Sequence, residues 1–303
     1  MKAYRFRVPL TQPLKLKGQT HKIREGVLLE RDGQWSEASP LPGFSTERIE
    51  DVISALRGER TTPPSLKFAI AALDEPVGTQ LEIPWNYLLI GDRERVLAGV
   101  EECVRANCGA AKLKVGREDL RLEIDLVKEV RRCLPAEVQL RLDANQAWTF
   151  AEATEFLEAI GDIDLEYIEE PLQDPNRLEE LHSRTGVRFA LDETLVTEKS
   201  LDAWPNATAL ICKPTILGGR EAVERLAATG RPVIFSAAFE SGVGIVRIMQ
   251  LAAEFSPQRA AGLDTLAWLS DDQLLESPQK KDGMFLVSGA PAVDETKLEA
   301  IEL

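Results

Sequence analysis

Cysteine and histidine are both scarce in this chain of 303 residues. The four cysteines, Cys103, Cys108, Cys133 and Cys212, form no CxxC pair. They read as free thiols of a reducing compartment, not as zinc ligands or disulfides. The two histidines are His21 and His182. His182 falls in a helical stretch before Gly186 and reads as a surface residue. No apolar run reaches the length of a membrane span, and the opening MKAYRFRVPL has no apolar signal core. The expectation is a cytoplasmic protein. Positive charge is also in deficit, with 36 Lys and Arg against 50 Asp and Glu, a net charge of -14. Such a chain is a poor match for nucleic acid or for an anionic membrane. An anionic substrate would have to be drawn in by local positive charge or a metal.

What is present is a large apolar fraction, 44%, enough for a substantial core. The length suits a β/α barrel of roughly 200–250 residues with a smaller domain. In residues 1–83, YRFRVPL, KIREGVLLER and QWSEASP read as strands, while TERIEDVISALRG and SLKFAIAALDE read as helices. This is the pattern of an α+β domain. From residue 84 to about 270, short apolar strands alternate with amphipathic helices. The strands are WNYLLI, AKLKV, VQLRLD, LEYIE, RFALD, ALICK, PVIFS and a weaker AGLD. In the helix after the second, Leu120, Ile124, Val127 and Val130 recur at helical spacing. Eight strands and seven intervening helices give a (β/α)7β TIM-type barrel with an N-terminal α+β capping domain. A doubly wound open sheet is the runner-up, weakened by the lack of a glycine-rich phosphate loop. The tail from about 271 to 303 has no barrel partner and is expected to complete the capping domain.

Side chains along a barrel strand alternate between the helix side and the interior. Lys112 and Lys114 therefore share one face, with Leu113 and Val115 on the other. Val138, Leu140 and Leu142 form the apolar face of the next strand, so Arg141, Asp143 and Asn145 point inward. The following strands end in Glu169-Glu170, Asp192-Glu193 and Lys213. All lie at C-terminal strand ends, where barrel active sites are built. One such charge ordinarily caps a strand or meets solvent; six on five consecutive strands form a constellation. Carboxylates on adjacent strands repel unless a cation joins them, and an oxygen-only set suits a hard ion. Asp143, Glu169 and Asp192 are the expected ligands of magnesium, with manganese as a substitute. Asn145, Glu170 and Glu193 are expected to orient ligands or lysines. The chemistry that fits is removal of a proton next to a carboxylate, with a divalent ion stabilising the enediolate. Lys112 and the metal would push the neighbouring lysine toward neutrality, which makes Lys114 the base. Lys213 would act from the opposite side or stabilise developing charge.

These motifs resemble the enolase superfamily. KLK at 112–114, RLDANQAW at 141–148, YIEEPL at 167–172, LDET at 191–194 and KPTILGG at 213–219 are similar to its muconate-lactonizing subgroup. FESGVG at 239–244 and GLDTLAWL at 262–269 look like the o-succinylbenzoate synthase family within it. PLPGFS at 40–45 fits a loop that closes over the site. No histidine follows the sixth strand, which argues against a histidine-base subgroup. The resemblance implies a syn dehydration of 2-succinyl-6-hydroxy-2,4-cyclohexadiene-1-carboxylate, in menaquinone biosynthesis. It implies that Lys114 takes the α-proton and returns it to the leaving hydroxyl, while Lys213 stabilises the enediolate as a cation. Substrate contacts are expected at Lys112, Arg141, Ser236, Glu240, Ser241, Gly242, Asp264 and, as part of a lid, Thr20. The amides of Ser241 and Gly242 precede a helix and would bind a carboxylate; the plainer reading is an ordinary helix cap. For Arg141 the plainer reading is an interior salt bridge to Asp143 or Glu169. Ala237 and Ala238 stand where family members often carry serines. Three rivals remain open. One is an N-acylamino acid racemase, dipeptide epimerase or cycloisomerase of the same superfamily; Gly262 in place of an aspartate counts against the epimerase. The second is a Schiff-base lyase, which needs no metal. The third is a barrel kept only for binding. The expected partner is a small anionic carboxylate, with no nucleic acid or membrane, in a monomer or homo-oligomer.

Overall fold

The structure, a computed structural model, describes residues 1–16, 18–198 and 200–303. The chain forms two compact units. One comprises residues 1–83, 212–280 and 285–303; the other comprises 84–211 and 281–284.

The first unit opens with an antiparallel meander, β1 (Lys2–Leu16), β2 (Gln19–Arg31) and β3 (Gln34–Ala38). Two helices follow, α1 (Ile49–Leu56) and α2 (Pro64–Leu73). Strand pairing sets Ala3 opposite Leu29 and Val27 opposite Ala38. These four residues share one sheet face and pack on Ile49 and Val52 of α1 and Leu66, Ala69 and Leu73 of α2. The helix positions lie three and four apart, so each helix offers one apolar stripe to the sheet.

The α/β region begins after β4 (Leu81–Pro84). It runs β5 (Asn86–Leu89), α3 (Arg93–Arg105), β6 (Ala110–Lys114), α4 (Leu120–Cys133), β7 (Gln139–Asp143), α5 (Phe150–Ile160) and β8 (Tyr167–Glu169). It continues with α6 (Leu178–Thr185), β9 (Phe189–Leu191), α7 (Thr194–Thr197), β10 (Ala209–Cys212), α8 (Pro214–Leu217), α9 (Arg220–Ala227), β11 (Val233–Phe235) and α10 (Gly242–Phe255). Among the described residues these strands form one seven-stranded sheet in sequential order, β5 to β11, and the pairings from β5 through β10 are parallel. This is the TIM-type barrel, with the N-terminal sheet and helices as its capping domain. The eighth strand, AGLD, is short: Ala261 and Gly262 are both bridged, Gly262 in parallel to Ser236, with the Ala237 amide donating to Gly262 O and the Gly262 amide to Phe235 O. Asp92, Asp119 and Thr149 cap α3, α4 and α5 through their side chains, which fixes where each crossover turns back.

The tail carries β12 (Gln279–Lys281), β13 (Met284–Val287) and β14 (Glu299–Ala300). β14 pairs with β1, Tyr4 opposite Ala300. β12 and β13 extend from β4 as a three-stranded sheet. Among the described residues no helix is long and apolar enough to cross a membrane.

Candidate active site

Strand register assembles the charged cluster. Lys114 on β6 lies opposite Asp143 on β7, and Asp143 lies opposite Glu169 on β8. Three strand ends therefore deliver their last side chains at one level. Lys112 sits one layer below and reaches up to it. Its Nζ donates to both oxygens of Glu169 at 2.8 Å and lies 2.6 Å from Asp143 Oδ2. Lys114 Nζ donates to Asp143 Oδ2 at 2.5 Å and to Asn145 Oδ1 at 2.7 Å. The Asp143 and Glu169 side chains are 1% exposed, those of Lys112 and Lys114 12% and 20%. Burial works against the charge on Asp143, but the Lys112 and Lys114 ammoniums outweigh it and hold the carboxyl far below the usual carboxylate range. Burial likewise opposes the Lys112 ammonium, but Asp143, Glu169 and Asp192 outweigh it and hold the group well above the usual lysine range. Charge and countercharge here fix each other's ionisation.

The neighbouring polar residues hold this cluster in place. Glu170 is fully buried. Its Oε1 accepts from the amides of Asp192 at 2.8 Å and Thr194 at 2.9 Å. Its Oε2 accepts from Thr194 Oγ1 and Gln146 Nε2, both at 3.0 Å. Glu170 thus pins the segment carrying Asp192 to the end of β8. Asn145 receives Lys114 and passes its Nδ2 to Glu193 Oε1 at 2.9 Å. Asn145, Gln146 and Glu170 all have positive φ, at 45°, 58° and 40°, a conformation non-glycine residues seldom adopt and one that recurs at functional sites. On α4, the buried Glu123 accepts from the amides of Gly116, Arg117 and Glu118, fixing the loop that follows Lys114. Among the described residues, no three acidic, histidine or cysteine side chains are gathered as a metal-holding group. Asp143 and Glu169 instead meet at the Lys112 ammonium, while Asp192 is buried and acts on Lys112 through its charge.

Within the first unit, Lys213 directly follows the sixth barrel strand, β10, and precedes Pro214, the first residue of α8. Its Nζ stands 5.2 Å from the centroid of the Phe44 ring, in the PLPGFS loop. Several expected substrate contacts are otherwise engaged. The amide and hydroxyl of Ser241 donate to Glu37, whose Oε2 also takes the Gly244 amide at 3.0 Å. The Gly242 amide donates to Asp272 O at 2.9 Å. The carboxylate at this helix N-terminus is therefore the chain's own, and Ser241 is an N-cap, accepting from the Val243 amide. Glu240 is buried and turns Oε2 back onto the Ala238 amide at 2.5 Å; burial pushes its carboxyl up, against Thr215 and Arg24. Asp264 is ion-paired with Lys280. Ser236 bridges Gly262 through the main chain. Thr20 is exposed and sits within β2 opposite Lys15, not in a loop. In the second unit Arg141 is 1% exposed and pairs with Glu166 and Asn86. The register sets Arg141 beside Tyr167, below the level of Asp143 and Glu169. His182 is half-buried, with Nδ1 2.8 Å from Val187 O.

Sequence reasoning missed Arg24, Glu37, Glu123 and Gln146. One signal was available: strand alternation in QWSEA sets Glu37 on the same face as Trp35, and the structure buries both. A carboxylate at such a place needs several donors.

The comparisons with known proteins bear on this geometry. The family description "Enolase C-terminal domain-like" matches residues 95–291, and "MenC, N-terminal domain" matches residues 1–62. An o-succinylbenzoate synthase of Proteus mirabilis is 32% identical, over 88% of this chain and 90% of the relative. The chain belongs to the o-succinylbenzoate synthase family of the enolase superfamily. A family member from Citrobacter koseri is 29% identical over 98% of both chains. A solved o-succinylbenzoate synthase of Thermosynechococcus elongatus BP-1, complexed with magnesium in the active site, superimposes with a TM-score of 0.75 at 24% identity. It spans 89% of this chain and 94% of that one, and at that identity it supports the fold.

Proposed function

We propose that this chain is a magnesium-dependent o-succinylbenzoate synthase, a carbon–oxygen lyase. It dehydrates 2-succinyl-6-hydroxy-2,4-cyclohexadiene-1-carboxylate to o-succinylbenzoate in menaquinone biosynthesis. The observation that carries this reading is the cluster of Lys112, Lys114, Asp143 and Glu169, in a chain of this family. Asp143 and Glu169 are buried carboxylates that meet at one cation, the Lys112 ammonium. A site built to satisfy positive charge with oxygen donors alone fits a hard divalent ion. Asp143, Glu169 and Asp192 would hold magnesium, or manganese in its place. When bound, the ion supplies positive charge for substrate carboxylate oxygens as the α-proton leaves.

The chain's own residues account for the rest. Lys114 needs a free lone pair to act as base, so it must give up Asp143; Asn145 Oδ1, at 2.7 Å, remains to aim its Nζ. The α C–H bond breaks, its proton goes to Lys114 Nζ and the electron pair enters the enediolate. That pair then forms the new C=C bond as the C–O bond breaks. Lys114 returns the proton to the departing hydroxyl, which leaves as water. Lys213 stabilises the enediolate as a cation. Glu170 positions Asp192, and Glu193 positions Asn145. In this reading residues 84–270 are the catalytic barrel, and residues 1–83 with 271–303 the capping part. The partner is a small carboxylate substrate, and the compartment is the cytoplasm.

The test is loss of diene absorbance from the cyclohexadiene substrate. Turnover that requires magnesium and vanishes in Lys114→Ala supports the reading. Turnover that survives exhaustive chelation, or a borohydride-trapped adduct, overturns it.

A further inference from the structure

Arg24 on β2 is 3% exposed and spends its guanidinium on main-chain carbonyls. Nε donates to Phe239 O at 2.9 Å. Nη1 donates to Pro40 O at 2.6 Å and Glu25 O at 3.0 Å. Nη2 donates to Ser39 O at 2.5 Å and Ala238 O at 3.4 Å. Five N–H donors meet five carbonyls in a fixed planar fork, which three ammonium hydrogens cannot reproduce. Two of the carbonyls belong to the segment after β11. Two others, of Ser39 and Pro40, belong to the run from β3 into the PLPGFS loop.

A second tie joins the same two segments. Glu37 accepts from Ser39 Oγ at 2.5 Å on one side and from the Ser241 and Gly244 amides on the other. The loop beyond Pro40 is closed on itself: the amides of Phe44 and Ser45 both donate to Leu41 O, and the Leu41 amide donates to Ser45 Oγ at 2.8 Å. These bonds tie residues 41–45 to one another directly after the anchored residues 39 and 40. Its Phe44 ring is the group set 5.2 Å from Lys213 Nζ, within the range in which a ring face attracts an ammonium.

We propose that Arg24 is a positioning residue for Lys213. By holding the carbonyls of residues 39–40 and 238–239 together, it fixes the PLPGFS loop and keeps the Phe44 ring against the Lys213 ammonium. This rests on the role given to Lys213 in the proposed function.

The test is a kinetic cycle with Arg24→Lys, Phe44→Ala and the double variant, in the full-length enzyme with magnesium, with thermal midpoints measured alongside. Each single variant is expected to lower kcat on the order of ten-fold at temperatures where it remains folded. The double variant should be no worse than the poorer single, because both act on one contact. Multiplicative losses, or a lowered midpoint with unchanged kcat, would overturn the proposal. If Arg24→Lys does not fold, Glu37→Gln takes its place in the cycle, with the same non-additivity expected and the same additivity fatal. Lys213→Ala separates the two layers. If it keeps full kcat, the role of Lys213 fails and the proposal with it. If it loses activity while Arg24→Lys and Phe44→Ala add, only the positioning proposal fails.

Discussion

Replacing Glu170 should separate positioning from bulk stability. Its carboxylate takes four hydrogen bonds, two from the amides of Asp192 and Thr194 and two from Thr194 Oγ1 and Gln146 Nε2. Glu170→Ala strands two buried amides at about 1–3 kcal/mol each. The expected loss is therefore roughly 2–6 kcal/mol of unfolding free energy. Glu170→Gln keeps an oxygen for the two amides but makes those bonds neutral, and Gln146 must turn its own amide to match. Bonds to charged groups contribute about 1.5–3 kcal/mol against about 0.5–1.5 for neutral ones, so the Gln variant should lose about 1–3 kcal/mol and stay folded. Because the segment it holds carries Asp192, Glu170→Gln should also bind magnesium more weakly. Urea unfolding measures the first effect and magnesium titration by calorimetry the second. A Glu170→Ala protein as stable as the parent, or a Glu170→Gln protein with parental magnesium affinity, would refute this reasoning.

Three further outcomes are expected. In the metal-free protein, Lys112→Met removes the ammonium that meets Glu169 at 2.8 Å, and breaking such a buried pair costs about 3–5 kcal/mol. Added magnesium should then raise the melting temperature of this variant more than that of the parent, a difference read directly in thermal scans. Lys114→Ala should lower kcat by roughly 10²–10⁴, the usual contribution of a positioned proton-transfer group, as measured by diene turnover. Burial pushes the Glu240 carboxyl above its ordinary value of 4.5, so the folded chain holds that proton more tightly than the unfolded one. Stability from this group must fall as pH rises from 4.5 through the raised value. Urea midpoints across pH should show that fall in the parent and lose it in Glu240→Gln.

The charged cluster was legible because strand parity is local. Lys112, Lys114, Asp143 and Glu169 each follow from the alternation of one short strand, and the barrel then brings consecutive strand ends together. The apolar stripes of α1 and α2 were legible for the same reason. The eighth strand was legible but faint: AGLD was read as the weakest of the eight, and only Ala261 and Gly262 of it are bridged. The contacts assigned to Ser241 and Gly242 were obscured by distance along the chain. Their surroundings were correctly read as a helix start. What claims the Ser241 amide is Glu37, 204 positions away, and nothing near either residue announces the other. Arg141 shows a finer limit. Parity placed it inward, but its layer depends on cross-strand register, which sets it beside Tyr167 with Glu166 as an ion-pair partner.

In the proposed mechanism Lys114 is the base and acts from one face, with Lys213 serving as a cation. Proton exchange at the substrate α-carbon in deuterated water with magnesium, followed by NMR in Lys114→Ala and Lys213→Ala, tests it most directly. The expected result is no exchange in Lys114→Ala and continued single-face exchange, without efficient dehydration, in Lys213→Ala. Exchange that persists in Lys114→Ala, or that each variant loses from a different face, would contradict it.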